Sequence, residues 1–499
     1  MRLRILIFFT LFFCKSILVS QTTISNPVKS DFEEILSVLA SDYMEGRKAN
    51  QKGGYIAATY IASTMYTSKL KPYNNNGKSF FQEFKIQEHT VKKATFEIKK
   101  GKEFIALSES DFELTPISQS LQKNTQVVFA GYGLSMPEEN YDDYKSQNVK
   151  GKIVVVLKSF PSHLDTTSAV YRKFKKIFPE ENDLEEMKLK NAINKGAAAL
   201  VIIYSNQNFR LKNSHQNDAF HSFESESSVS IPVFRLSKST AEKLLSDNKI
   251  SLETFEKKAQ NLQTASVVLK NTSAAFSIDL QTETYLVRNV LGMIKGKDTT
   301  KTIIVGAHYD HLGIKNDSIY NGADDNASGT SGMLALAKNW SESKIQPKYN
   351  ILFAAWTAEE MGLLGSEYFV QNLNLQDQKI LLCINMDMIS RSAPEDKARR
   401  ILSIGTEKET EYLKKIASES NAKLQKPFNL DLWETNGHSG SDYASFTAKG
   451  IPIMTFFSGF HEDYHTPRDI ASKVDLEKIQ DVLFIVNNSL LKFIESQQN

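Results

Sequence analysis

The chain has 499 residues, of which 41% are hydrophobic and 24% are charged, and its formal net charge is +2. This length predicts two or three domains, and the composition is that of a globular protein rather than a disordered or fibrous one. The charge lacks the basic excess of a dedicated nucleic-acid binder, so that class of partner is not expected.

The first twenty residues differ in kind from the rest of the chain. Arg2 and Arg4 precede the apolar run "ILIFFTLFF", and the small and polar residues of "SILVSQTT" follow it. This pattern is typical of a secretory signal peptide, here with cleavage near Ser20. The run is far shorter than the ~20 residues needed to span a bilayer, and "LFFC" lacks the small residues that precede a lipidated cysteine. We therefore expect an exported protein, periplasmic or secreted, with neither a stable membrane span nor a lipid anchor.

Residues 21–120 begin with two predicted helices. The stretch 30–47, "SDFEEILSVLASDYMEGR", opens with Ser30 and Glu33 at capping-box spacing and continues with apolar residues on one helical face. A second helix is predicted over Tyr55–Tyr66, and Gly53 and Gly54 separate the two.

Residues 121–275 show a different sequence pattern, in which short apolar runs are bounded by turn residues. Four runs predict buried strands: "TQVVFAGYG", "GKIVVVLK", "AALVIIYS" and "SIPVFRLS". Helical stretches such as "EEMKLKNAINKG" lie between them. The block contains few histidines and no cluster of metal-binding residue types, so we predict a separate β-rich domain.

From residue 276 to the end, strands and helices alternate. The predicted strands include "KTIIVGAHYD", "YNILFAAWTAEE", "ILLCINMDMIS" and "IPIMTFFSG", and helices are predicted in "SGTSGMLALAKNW" and "MGLLGSEYFV". Such alternation predicts an α/β fold, with a mostly parallel central sheet flanked by helices.

Polar residues follow several of these strands, at the edge where open α/β sheets bind ligands. Taken singly, an "HxD" is most often a surface histidine, "EE" a solvated pair and "DD" a turn. Together, two imidazoles and three carboxylates suit two zinc ions, with one carboxylate bridging them. The candidates are His308, Asp324 in the turn before a helix, Glu359, Glu360, Asp387 and His465.

Five motifs now stand in order: "GAHYDHLG", "NGADDNASG", "WTAEEMGLLGS", "NMDMI" and "YHTPRD". This set resembles the co-catalytic dizinc aminopeptidase family, which also contains the glutamate carboxypeptidases. Residues 121–275, with "VVFAGYGLS" and "INKGAAALVIIY", resemble the protease-associated domain often inserted in these enzymes. "LASDYMEGR" is similar to the N-terminal segment of the same family, so the resemblance covers nearly all of the chain beyond the signal peptide.

The resemblance implies two Zn²⁺ ions per chain and a set of ligands. His308 and Asp387 would bind one ion, Glu360 and His465 the other, and Asp324 would bridge both. It also implies a cis peptide bond at Asp324–Asp325, with Asp325 following in the turn.

The remaining roles are also implied by the resemblance. Glu359 would be the general base of a metal-assisted peptide hydrolysis. Asp310 would orient the His308 imidazole through its other nitrogen. Asp442 and Tyr443, in "GHSGSDYASF", are candidates for substrate contact, although many relatives carry histidine where this chain has Tyr443. His311, His438 and His461 lie near the motifs and are expected beside the ligands rather than among them.

The expected activity is removal of N-terminal residues from peptides. Carboxypeptidase or dipeptidase action is an alternative, and basic residues that bind a substrate α-carboxylate would distinguish it. Glutaminyl cyclases resemble the family but use one zinc, and the presence of His308 and the full "GADDNASG" argues against them. A non-catalytic receptor-like ectodomain is disfavoured because every ligand and Glu359 are retained.

Overall fold

The computed structural model describes residues 24–497 except 116, 118, 180, 205–218, 225–230, 249, 265, 374–377, 436, 438 and 439. The predicted signal peptide therefore lies outside the described residues. The chain divides into two compact units, one formed by residues 24–84 and 287–497 and the other by Lys85–Leu286. The second unit is wider than the predicted insert 121–275, because it takes up residues on either side of that range.

The first unit is built on the predicted mostly parallel sheet. Four strand pairings are parallel, and antiparallel pairings join Ile401–Thr406 to Ile453–Phe457 and the residues up to Ile294 to Tyr349–Trp356. The central strands are buried along nearly their whole length, as expected where both faces of a sheet are covered. The strand order is Asn429–Glu434, Ile401–Thr406, Ile453–Phe457, Lys379–Met386, Asp298–His308, Tyr349–Trp356 and the end of Ser266–Ile294.

Helices supply the rest of this unit. The predicted helix over 30–47 ends at Leu39, and its first turn is capped by Asp31, whose carboxylate accepts the Val28 N–H at 2.8 Å, rather than by Ser30 and Glu33. Within the described residues, we find no helix long and apolar enough to cross a bilayer. The helices are Lys29–Leu39, Lys52–Thr67, Asn74–Gly77, Gly329–Glu342, Leu364–Gln371, Glu411–Asn421, Tyr443–Thr447 and Leu476–Ser496, and short strands occupy Lys71–Pro72, Gly313–Lys315 and Ser318–Tyr320.

The register of this sheet brings three strand ends side by side. His308 is the last residue of its strand and pairs with Trp356, the last residue of the next. On the other side Gly306 pairs with Asn385, two residues before Asp387. Because these strands are parallel, the residues that follow them emerge at one edge of the sheet.

The second unit has its own sheet and hydrophobic core. Leu121–Ala130, Ile153–Leu157, Ala199–Tyr204 and Val233–Ser237 pair in parallel, which confirms the four strands predicted here. Its other strands are Glu103–Leu107, Phe112–Leu114, Ser135–Met136, Tyr141–Asp142 and Ala219–Phe223, with parts of Phe81–Lys100 and Ser266–Ile294, and its α-helices are Ala169–Ile177, Glu181–Asn194, Lys238–Leu245 and Leu252–Ala259.

Candidate metal centre

One group of potential metal donors forms around His308 at the end of its strand. Its Nε2 atom lies 3.4 Å from Asp325 Oδ1 and 3.3 Å from Asp387 Oδ1, and the imidazole is buried. Burial works to lower the pKa of His308, but the carboxylates of Glu359 and Asp387 outweigh it and raise that pKa well above its usual value.

A second group shares Asp325 with the first. His465 Nε2 lies 3.1 Å from Asp325 Oδ2 and 3.2 Å from Glu360 Oε2. His311 Nδ1 lies 2.7 Å from the other Glu360 oxygen and 3.6 Å from Asp325 Oδ2. In each group the donor atoms lie within 4.8 Å of one another. His311 therefore contacts the centre directly, and the second histidine of "HYDH" was the sequence signal for it.

The structure corrects the predicted place of Asp324. Its carboxylate is turned away from the cluster and accepts the backbone N–H groups of Ser390 at 2.9 Å and Arg391 at 3.1 Å. Asp325 takes the shared position instead, and the cis peptide bond is Asp325–Asn326 rather than Asp324–Asp325. Adjacent side chains in this irregular turn point in different directions, so only one of the two aspartates can face the cluster.

The turn that carries Asp325 is held by residues that the sequence analysis did not single out. The Asp469 carboxylate accepts the N–H groups of Asp324 and Asp325 at 3.0–3.1 Å. The Asn326 side chain donates to Met386 O at 2.9 Å and accepts the Gly329 N–H at 2.9 Å. These bonds fix the turn to the strand end beside it.

Asp310 contacts His308 differently from the expectation. Its backbone carbonyl oxygen lies 3.1 Å from His308 Nδ1, whereas its carboxylate is 3.8 Å from the same atom. The carboxylate instead accepts the Glu359 N–H at 3.1 Å. Burial raises the pKa of Asp310 to about 7, partly offset by His308.

Glu359 stands beside the donors without being a member of either group. Its Oε2 atom lies 4.0 Å from His308 Nε2. Burial raises the pKa of Glu359 well above its usual value; His308 lowers it, and the like-charged carboxylate of Asp387 adds to the increase. A carboxylate with a raised pKa in a cleft is a candidate acid–base group.

The two groups fit a divalent metal ion by their chemistry. Several carboxylates are packed together with imidazoles between them, an arrangement that a nearby metal cation would stabilise. Mixed nitrogen and carboxylate donors are a ligand set that zinc accepts. The structure thus brings together His308, Glu360, Asp387 and His465 with Asp325, and leaves Asp324 outside.

A cavity of about 220 Å³ opens beside the donors. His308, Asp325, Glu359 and Asp387 form its polar side, and its other lining residues are Met388, Trp433, Gly440, Ser441, Tyr443, Thr455, Phe457, Phe460 and Tyr464. Of the two substrate candidates, Tyr443 lines this cavity, whereas Asp442 is fully buried behind it.

The other two histidines have separate outcomes. His461 is buried, with its Nε2 atom 3.4 Å from Asp324 Oδ2, and its Nδ1 accepts the Asp463 N–H at 3.2 Å. It therefore sits behind the turn rather than among the donors. His438 lies outside the described residues.

Comparison with known proteins agrees with the resemblance seen in the motifs. Residues 289–490 match peptidase family M28, and residues 123–244 match the PA domain. A probable leucine aminopeptidase 2 from Aspergillus fumigatus is 32% identical over 189 residues, which cover 36% of this chain and 35% of that protein. Aminopeptidase YwaD from Bacillus subtilis is 27% identical over 220 residues, covering 42% of this chain and 46% of that protein. The matched region thus spans less than half the length of either relative.

The fold is also found among solved structures. An aminopeptidase from Aneurinibacillus sp. strain AM-1 superposes with a TM-score of 0.60 at 20% identity, covering 94% of this chain and 95% of that one. This likeness extends through both units and shows the fold.

Proposed function

We propose that this chain, whose residues 289–490 match peptidase family M28 and whose residues 123–244 match the PA domain, is an exported zinc aminopeptidase. The observation that carries the proposal is the pair of donor groups that share Asp325, with Glu359 beside them at the cavity. Export rests on the signal-like residues 1–20.

The donor geometry supports two zinc ions. His308 and Asp387 would hold one ion, Glu360 and His465 would hold the other, and Asp325 would be shared by both. His311, at 2.7 Å from Glu360 Oε1, would hold the second oxygen of that carboxylate. Zinc at such a site supplies Lewis acidity and lowers the pKa of a bound water to near ~7.

Glu359 would move the proton in this reaction. Its carboxylate faces the cavity next to His308 and is not needed as a ligand, so it is free to accept a proton from the attacking water. The same carboxylate would then deliver that proton to the leaving amine nitrogen. The hydrogen bond from the Glu359 N–H to the Asp310 carboxylate fixes the backbone of Glu359, and this limits where the Glu359 carboxylate can lie.

The cavity lining favours action at the amino end of a peptide. A carboxypeptidase needs a cation for the substrate α-carboxylate, and no arginine or lysine is among the described residues that line this cavity. The polar side of the cavity is acidic, which suits a substrate with a free ammonium group rather than one with a second carboxylate. The apolar wall of Met388, Phe457 and Phe460 suits an apolar N-terminal side chain.

A panel of small substrates tests the proposal. We expect hydrolysis of leucyl p-nitroanilide well above glutamyl p-nitroanilide, loss of peptide hydrolysis on N-acetylation, and little change on C-terminal amidation. A chelator should abolish the activity and added zinc should restore it. Loss of hydrolysis on C-terminal amidation, with hydrolysis retained on N-acetylation, would identify a carboxypeptidase. Failure to hydrolyse any substrate after zinc loading would refute the proposal that this chain is an enzyme.

A further inference from the structure

A left-handed turn near the start of the chain directs Arg47 into the first unit. Glu45, Gly46 and Arg47 have φ angles of 48°, 66° and 53°, a conformation that side-chain-bearing residues rarely adopt. A Cβ atom at Gly46 would lie 2.5 Å from Tyr320 O and 2.6 Å from Gly313 O. The turn therefore passes very close to the paired strands Gly313–Lys315 and Ser318–Tyr320. Two residues with side chains keep this conformation because the surrounding backbone holds it.

The Arg47 guanidinium is fully buried and donates to four backbone carbonyl oxygens. Nε donates to Tyr309 O at 2.7 Å, and Nη1 donates to Leu39 O at 2.6 Å. Nη1 also donates to Asn321 O at 2.5 Å, and Nη2 donates to Gly322 O at 2.8 Å. One planar group thus ties three separate stretches of backbone together.

Two of those stretches carry the proposed ligands. Tyr309 follows His308 directly, and Gly322 precedes Asp325 by three residues. The distance from His308 to Asp325 therefore depends on two backbone segments that meet at one side chain.

The charge of Arg47 has no carboxylate hydrogen-bonded to it among the described contacts. Burial lowers the pKa of Arg47 to about 10, and the nearby carboxylates of Asp325 and Asp469 oppose that shift. The four neutral acceptors satisfy the hydrogen bonding of this buried cation but do not neutralise its charge. The four carbonyl oxygens are the acceptors because they lie within reach of the guanidinium. The carboxylates of the acidic cluster next to it balance its charge.

We propose that Arg47 is a positioning residue for the metal centre, and that it sets the spacing between His308 and Asp325. This inference rests on the proposed function, because it assumes that those two residues bind zinc. It assigns a role to "EGR" that its distance in sequence from the donors does not suggest.

Arg47→Lys tests the inference, because it keeps the positive charge but cannot span four carbonyl oxygens. We expect its zinc dissociation constant, measured by competition with a chromogenic chelator, to rise by about 10–100-fold. The comparison is made at a temperature where circular dichroism shows the metal-free proteins fully folded. Asn487→Ala is the control, since this buried residue accepts a hydrogen bond from Trp340 Nε1 at 2.9 Å and none of its described hydrogen bonds involves a metal-donor residue.

Each result decides the question. Weakened zinc binding in Arg47→Lys, with wild-type binding in Asn487→Ala at a similar loss of melting temperature, supports the positioning role. Wild-type binding in Arg47→Lys overturns it. Should that variant fail to fold, Arg47→Gln decides, since its neutral amide buries no charge and its two N–H groups can reach at most two of the four carbonyl oxygens. Unchanged zinc binding there then overturns the inference, whereas a wild-type chain that binds no zinc refutes the proposed function itself.

Discussion

Both units bury charged side chains, but they satisfy those charges differently. In the second unit Lys188 is fully buried, and its Nζ donates to Tyr132 O at 2.5 Å, Leu157 O at 2.7 Å and Ser159 O at 2.8 Å. Asp143 there accepts the N–H groups of Tyr132 and Leu134 and the hydroxyl of Tyr141. Each of these charges has its own set of partners within the fold.

The first unit satisfies its buried Arg47 with carbonyl oxygens in the same way, but it also gathers like charges at one point. Asp325, Glu359 and Asp387 line one cavity and Glu360 belongs to the same cluster, with histidines as their shared partners. The difference teaches that burial of a charge does not by itself mark a functional site. Convergence of buried like charges does, because such an arrangement costs stability unless something binds there.

The largest expected effect separates proton transfer from metal binding within the cluster. Glu359→Gln keeps the shape of the side chain but cannot accept a proton, so we expect kcat on leucyl p-nitroanilide to fall by about 10²–10⁴-fold or more. Zinc content, measured by atomic absorption, should remain near that of the wild type. Loss of zinc in this variant would mean that Glu359 is a zinc ligand rather than the group that accepts the proton.

The two neighbouring aspartates provide the next contrast, since one faces the cluster and the other faces backbone N–H groups. We expect Asp325→Asn to weaken zinc binding by more than tenfold, because an amide replaces the shared carboxylate. Asp324→Asn retains an oxygen acceptor for Ser390 or Arg391 and should bind zinc within about threefold of the wild type. Chelator competition measures both, and the reverse order would restore Asp324 as the bridging residue.

In the second unit the prediction concerns stability. Lys188→Met leaves three carbonyl oxygens without the lysine donor, two of them in buried contacts, so we expect a loss of about 2–4 kcal/mol in the free energy of unfolding. Chemical denaturation followed by fluorescence measures this. Lys190→Met is the matched control on the same helix, because that lysine is exposed and should change stability by less than about 0.5 kcal/mol. Equal losses of stability in Lys188→Met and Lys190→Met would mean that the buried bonds of Lys188 do not stabilise the second unit, and the contrast with the first unit would not hold.

Much of this arrangement could be predicted from the sequence. Buried strand runs that end in polar residues identified His308, Glu360, Asp387 and His465, because a parallel sheet brings its carboxyl ends to one edge. The choice between Asp324 and Asp325 could not be made in this way, since their positions differ by one residue in an irregular turn. That choice depends on the bonds from this turn to Asp469 and from Asn326 to Met386 O, and both partners come from distant parts of the chain.

Other features had no local signal at all. Arg47 is a charged residue in a glycine-containing turn, which normally indicates exposure, and its burial depends on carbonyl oxygens more than 260 residues away. The strand Phe81–Lys100 was missed because polar residues interrupt its apolar pattern. Long-range pairing decides such cases, and short sequence windows do not contain it.

The smallest expected effect examines how far one buried charge influences another. Burial is the main cause of the raised pKa of Glu359, and Asp442 is among the like charges that add to it. Asp442→Asn removes that charge, which lowers the pKa of Glu359, so the base is deprotonated at lower pH. The acid limb of the kcat profile should therefore move to lower pH.

The shift should be well below one pH unit, because the pKa of Asp442 is itself raised to about 7 by burial. Below that pH Asp442 is mostly protonated and exerts little repulsion, so its replacement changes Glu359 mainly near neutrality. The exposed Asp431→Asn variant is the control and should leave the profile in place. Movement of the limb to higher pH would show that Asp442 stabilises the ionised form of Glu359, and the converging charges would then be a hydrogen-bonded network rather than a repulsive cluster.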